Sequence, residues 1–106
     1  MIDMRLERVP FDFDGHTFQL CCNMNVLADV QDAFGGEIIE ALSSKSSVRS
    51  LMEFLAAMLN DSADEQGIEV RYTSRQVGRM LAPARMGEVK AIVMRLVRKA
   101  MSTDTE

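Results

Sequence analysis

The sequence predicts an α+β fold, in which an N-terminal two-stranded β-hairpin precedes a mostly α-helical bundle of four to five helices. Two observations support this prediction: an Asp-Gly pair between alternating apolar residues near the N-terminus, and apolar residues at helical spacing through most of the remaining chain. The 106 residues, 47% of them hydrophobic, suffice for one core. We therefore predict a single domain over residues 1–106, with the hairpin at about 5–22, the helical part at about 25–101 and a flexible tail at 102–106.

The hairpin prediction rests on the segment FDFDGHTF at residues 11–18. A two-residue type I′ turn needs positive φ at both central positions, which the pair Asp14-Gly15 tolerates. On the apolar face, this turn sets the pairs Phe13–His16, Phe11–Phe18 and Val9–Leu20. Pro10 cannot donate to a ladder, so its strand is expected at an edge. Because a lone hairpin is marginally stable, its Phe-rich face must pack on helices as core or dock on a partner.

Helical segments separated by breakers fill the chain after the hairpin. The first helix is predicted over residues 26–34, capped by Asn23 or Asn25 and stopped by Gly35-Gly36. A short helical turn at 37–42 and a serine linker at 43–47 lead to a second helix, from residue 48 to about residue 60.

The segment 61–72 is acidic and lacks helical periodicity, so it is predicted to be a mobile surface loop with an extended piece at 68–72. Thr73 or Ser74 then caps a further helix, which Pro83 interrupts. The final helix is predicted over about 85–101, with an apolar stripe along one face.

The charge distribution is uneven along the chain. Residues 1–70 carry an excess of nine acidic side chains, and residues 71–106 carry an excess of five basic ones. The pI is about 5.0, whereas a nucleic-acid-binding domain typically has a pI above about 9. The basic C-terminal part is therefore expected to complement the acidic part, either within one chain or between copies.

The residue types of catalytic and metal sites are scarce, so no enzymatic activity, cofactor or metal is predicted. His16 is the one histidine, and Cys21 and Cys22 are adjacent, which leaves too few ligands for a zinc site and disfavours a disulfide. No phosphate-binding glycine loop or nucleophile motif appears. No signal peptide and no apolar run of about 18 residues is visible, so we expect a reduced, cytosolic binding module with no membrane association.

Four segments in order carry a family resemblance: FDFDGHTFQL at 11–20, NMNVLADVQDAFGG at 23–36, SVRSLMEFLAAMLND at 47–61 and YTSRQVGRML at 72–81. The chain resembles the small tail assembly chaperones of long-tailed bacteriophages and gene transfer agents. The residues that match the family pattern are Phe11, Gly15, Phe18, Leu20, Asn25, Leu27, Val30, Gly35, Leu51, Leu55, Leu59, Thr73, Val77 and Leu81. The resemblance implies a factor of the host bacterial cytoplasm that coats the helical tape-measure protein, helps to bring tail-tube subunits to it, and works as a homo-oligomer.

A helical client would lie in a groove that reads apolar side chains at helical spacing. The residues predicted to contact it are Met52, Phe54, Met58, Val93, Met94 and Val97. The nine methionines fit either of two roles, as filler of an irregular core or as adaptable client contacts.

The alternative hypothesis is a small regulator that binds nucleic acid through its basic C-terminal helices. The side chains that would meet phosphates are Arg75, Arg79, Arg95, Arg98 and Lys99. Steep salt dependence of binding would identify this class of protein. The net charge of −4 disfavours it.

Overall fold

The computed structural model describes residues 7–34 and 47–101 and confirms the α+β fold, as a hairpin followed by four α-helices. The elements are β1 (Val9–Phe13), β2 (His16–Leu20), α1 (Met24–Phe34), α2 (Val48–Gln66), α3 (Ser74–Met80), a 3-10 turn (Pro83–Arg85) and α4 (Met86–Met101). The predictions for residues 1–6, 35–46 and 102–106 lie outside the described residues; these are the Gly35-Gly36 stop, the helical turn at 37–42, most of the serine linker and the flexible tail.

The hairpin has the predicted turn and register. Asp14 and Gly15 have φ of 53° and 78°, as a type I′ turn requires. The paired residues are Val9 with Leu20, Pro10 with Gln19, Phe11 with Phe18, Asp12 with Thr17, and Phe13 with His16. The Phe-rich face is core: the exposed fraction is at most 5% for Phe11, Phe13 and Phe18.

The outer edges of the hairpin are covered by side chains from the helical part. The backbone N–H of Gln19 donates to Ser62 Oγ at 2.9 Å, and Gln66 Nε2 donates to the carbonyl of Thr17 at 3.2 Å. On β1, Pro10 occupies an edge position and has no N–H, and Arg85 Nη1 donates to the carbonyl of Asp12 at 2.8 Å.

Helix α2 is longer than the sequence predicts, so the predicted surface loop at 61–72 is wrong for residues 61–66, which are helical. The helix starts after Ser47, whose hydroxyl accepts from the N–H of Ser50, and it ends at Gly67 in the left-handed conformation. Its last turns stay helical because Ser62 and Ala63 are buried, and Ser62 meets the hairpin edge. The segment 67–73 has no regular secondary structure, so the extended piece does not form a strand.

The caps and breakers of the remaining helices are close to their predicted positions. Asn23 caps α1, since its side-chain oxygen accepts from the N–H of Val26 at 3.0 Å. Thr73 caps α3 in a reciprocal pair of hydrogen bonds with Gln76. Pro83 opens the short 3-10 turn that separates α3 from α4.

Helix α2 lies at the centre of the core, where it contacts α1, α3, α4 and β2. Leu55, Met58 and Leu59 of this helix are at most 1% exposed. Among the methionines, Met58 fills the core, whereas Met24, Met80 and Met101 are exposed. None of the helices that the structure describes is long and apolar enough to cross a lipid bilayer.

Candidate functional site

An apolar concavity lies between the first turns of α2 and the last turns of α4. It is a cleft of about 320 Å³, called here the α2–α4 groove. Its lining residues are Ser50, Leu51, Phe54, Val93, Met94, Val97, Arg98 and Met101. All but Ser50 and Arg98 are apolar, so the groove suits an apolar ligand surface more than a small polar substrate.

The groove exists because α4 has two apolar stripes. Val89, Val93 and Leu96 are at most 2% exposed and hold the helix against the core. Met94 and Met101 lie on an adjacent face, since each residue of a helix turns by about 100°. The stripe of Val89, Val93 and Leu96 fixes the position of α4, and the stripe of Met94 and Met101 therefore borders the cleft.

The structure brings four of the six predicted contact residues together in this groove, namely Phe54, Val93, Met94 and Val97. Met58 is 0% exposed, so its side chain belongs to the core. Met52 is half-buried and faces α3, where its sulfur would lie 3.1 Å from a Cβ atom built on Gly78.

Four lining residues were not predicted as client contacts: Ser50, Leu51, Arg98 and Met101. Leu51 belongs to the apolar stripe of α2, and Met101 continues the spacing of Met94 and Val97 by about one further turn. That spacing is the signal by which Met101 could have been found. Ser50 carries no such signal, because a serine near a helix start is ordinarily interpreted as a solvent-exposed residue or a cap.

The basic residues of the nucleic-acid hypothesis do not share one helix face. Arg75 and Arg79 are on α3, which packs against the face of α2 that carries Arg49 and Glu53. Two hydrogen bonds show this contact: Arg49 Nη1 donates to Ser74 Oγ at 3.1 Å, and Ser74 Oγ donates to Glu53 at 2.9 Å. Helix α4 meets a different face of α2, at Leu51 and Phe54. Arg95 is paired with Glu7. The arrangement divides these cations and does not favour a phosphate-binding surface.

A second cleft, of about 350 Å³, is lined by α1, α2 and residues 71–74. Three of its polar side chains already have partners: Glu53 accepts from Ser74, Arg71 pairs with Asp64, and the side chain of Asn60 binds the backbone of Tyr72. It therefore offers few groups with which to hold a ligand.

The titratable groups that are shifted do not make a catalytic site. Burial raises the pKa of both thiols, and that of Cys22 reaches about 12, so neither is poised as a thiolate nucleophile. Burial and the hydrogen bond to Asp14 raise the pKa of Tyr72 to about 12. Within residues 7–34 and 47–101, no group of three or more His, Cys, Asp or Glu side chains could hold a metal ion.

Comparison with protein-family models, with curated proteins and with solved structures found no match to this chain. The family resemblance of the four sequence segments therefore remains a prediction.

Proposed function

We propose that the chain is a non-enzymatic tail assembly chaperone of a phage or prophage, and that it binds the helical tape-measure protein in the α2–α4 groove. The observation that carries this proposal is the apolar lining of the groove, which four of the six predicted contact residues share. The ordered resemblance of the four sequence segments supports the choice of client.

The shape and chemistry of the groove support a helical client. An amphipathic helix buries apolar side chains at i, i+3, i+4 and i+7 in a cleft between two helices of its receptor. Met94 is half-buried and Met101 is 44% exposed, so both thioether side chains are available to a ligand. Because methionine is unbranched and polarisable, such a lining adapts to the many different turns of a long helical protein.

In this proposal, the chain works in the cytoplasm of a bacterial host and keeps the tape-measure protein soluble until tube assembly. Copies of the chain act side by side along the client as a homo-oligomer, and they help to bring tail-tube subunits to it. Neither catalysis nor a cofactor is needed for this role, since the client is held by burial of apolar surface alone.

The test is co-expression with a tape-measure protein from the same phage or prophage, followed by affinity purification. Met94→Glu places a charge in the groove on a half-buried side chain, so we expect it to weaken client binding by at least about tenfold while circular dichroism stays native. The matched control is Met24→Glu, since Met24 is 77% exposed on α1 and does not line the groove.

Loss of the client with Met94→Glu but not with Met24→Glu supports the proposal. Equal recovery of the client with both variants contradicts it, because the groove would then contribute nothing to binding. Co-purified nucleic acid that dissociates steeply with salt would instead support the regulator hypothesis.

A further inference from the structure

The turn of the hairpin contains a chemically labile pair of residues. Asp14-Gly15 is the one Asp-Gly pair of the chain, and the sequence contains no Asn-Gly pair. In an Asp-Gly pair, the side-chain carboxyl carbon can form a five-membered ring with the next backbone nitrogen, and glycine has no side chain to hinder the approach. This ring closure is the first step of aspartate isomerisation. Both residues are exposed to water.

The folded turn keeps the two reacting atoms apart. The ring closes only when the nitrogen of Gly15 is nearly eclipsed with Cβ of Asp14 about the Cα–C bond. A type I′ turn has ψ of about +30° at its first central residue, which places this nitrogen nearly opposite to Cβ. The φ values of 53° and 78° at Asp14 and Gly15 identify this turn. The reaction therefore requires the turn to open.

Tyr72 opposes this opening. Its hydroxyl donates to Asp14 Oδ2 at 2.6 Å, and hydrogen bonds to a carboxylate are among the stronger ones in proteins. The Tyr72 ring is 7% exposed and packs edge-on against Phe13, while the side chain of Asn60 binds the Tyr72 backbone at both its N–H and its carbonyl. The donor is therefore held in place. A carboxylate that stays on this donor cannot also turn its Cγ to the nitrogen of Gly15.

We propose that Asp14 is a site of spontaneous isomerisation to isoaspartate, and that the hydrogen bond from Tyr72 restrains the reaction in the folded chain. When the turn opens, the nitrogen of Gly15 attacks Cγ of the protonated Asp14 carboxyl. The N–Cγ bond forms, the Cγ–OH bond breaks, and the hydroxyl leaves with the amide proton as water. A second water then hydrolyses the cyclic imide. Cleavage between the nitrogen and the original backbone carbonyl carbon gives isoaspartate, and cleavage at Cγ restores aspartate.

The product does not fit the turn. Isoaspartate carries the main chain through its side-chain carbon, so one methylene is inserted into a loop of two residues. The pairing of Phe13 with His16 depends on the length of that loop. The same register places the buried rings of Phe11 and Phe18 in the core. The modification therefore marks chains in which the hairpin turn has opened, and it opposes their return to the native register.

The test follows isoaspartate in the full chain at neutral pH, by enzymatic methylation with protein L-isoaspartate methyltransferase and by peptide mapping to locate the site. The chain unfolded in urea gives the unrestrained rate. We expect the native chain to react at least about a hundredfold more slowly, because opening breaks both the turn and the hydrogen bond. Tyr72→Phe keeps the ring and removes the hydroxyl, so it should accelerate the native reaction about tenfold.

The matched control is Leu51→Val. Leu51 is 2% exposed and lies on α2 about 14 Å along the helix from Asn60, so the substitution disturbs the core and leaves the hydrogen bond between Tyr72 and Asp14 in place. Urea unfolding gives the stability of both variants. Because the turn opens locally, Leu51→Val should isomerise within about twofold of the wild-type rate.

An unchanged rate in Tyr72→Phe overturns the inference, as does a native wild-type chain that isomerises as fast as the unfolded one. Isoaspartate that forms at other aspartates and not at Asp14 also overturns it. If Leu51→Val accelerates the reaction in proportion to its loss of stability, the reaction proceeds through global unfolding, and the local role of Tyr72 is wrong.

Discussion

The side chain of Asn60 holds the connection between α2 and α3 in place. Its Oδ1 accepts from the N–H of Tyr72 at 2.7 Å, and its Nδ2 donates to the carbonyl of the same residue at 2.8 Å. Asn60 is 8% exposed and Tyr72 is 7% exposed, so neither partner is freely hydrated. The two bonds position the Tyr72 ring edge-on to Phe13, with ring centroids 5.4 Å apart.

Asn60→Ala should lower the free energy of unfolding by about 3 kcal/mol, within a range of about 2–6 kcal/mol. The substitution removes two hydrogen bonds and leaves one backbone N–H and one backbone carbonyl unpaired, each at about 1–3 kcal/mol. The loss is large compared with a typical domain stability of about 5–15 kcal/mol. Asn60→Asp should destabilise the fold as well, because a carboxylate can accept from the N–H but cannot donate to the carbonyl.

The measurement is urea unfolding followed by circular dichroism, with Asn25→Ala as the matched control on the exposed face of α1. We expect the control to change stability by less than about 0.5 kcal/mol. A loss below about 1 kcal/mol for Asn60→Ala would refute the argument, since water or a shifted backbone would then satisfy the freed groups at small cost.

Two further predictions concern the titratable groups of the core. Because Tyr72 has a pKa raised from 10.0 to about 12, its contribution to the free energy of unfolding is complete below pH 10 and is lost as the pH rises towards 12. Tyr72 is the one tyrosine in a chain without tryptophan, so the absorbance of its phenolate reports the titration directly. A titration midpoint near pH 10 would contradict the raised pKa. Because burial raises the pKa of Cys21 and Cys22, alkylation by iodoacetamide should be slow in the native protein and should follow global unfolding on addition of urea; rapid native labelling would show that the thiols are accessible.

The hairpin could be predicted residue by residue because its turn and register depend on residues that are close together in the sequence. The turn chemistry at Asp14-Gly15 and the alternation around it admit one register that keeps the apolar face together. The end of α2 could not be predicted in this way. Its last turns are acidic and have no apolar stripe. They are helical because Ser62 binds the backbone of Gln19, 43 positions earlier in the sequence, and the helix ends only at Gly67.

The candidate site was predictable in part for a similar reason. Apolar spacing identified α4 as amphipathic, but it did not distinguish the stripe that faces the core from the stripe at Met94 that borders the groove. Met58 and Met94 are equivalent as residue types, and only the packing of α2 encloses the first.

The covered edges of the hairpin bear on aggregation, because the protein also has an open apolar groove. An unpaired strand edge recruits further strands into stacks that do not separate, which is the usual route to insoluble deposits. Here Ser62 and Gln66 block one edge, and Pro10 with Arg85 blocks the other. The edges of both strands are therefore closed to pairing with a strand of a second molecule, although the same molecule presents an apolar groove between its helices.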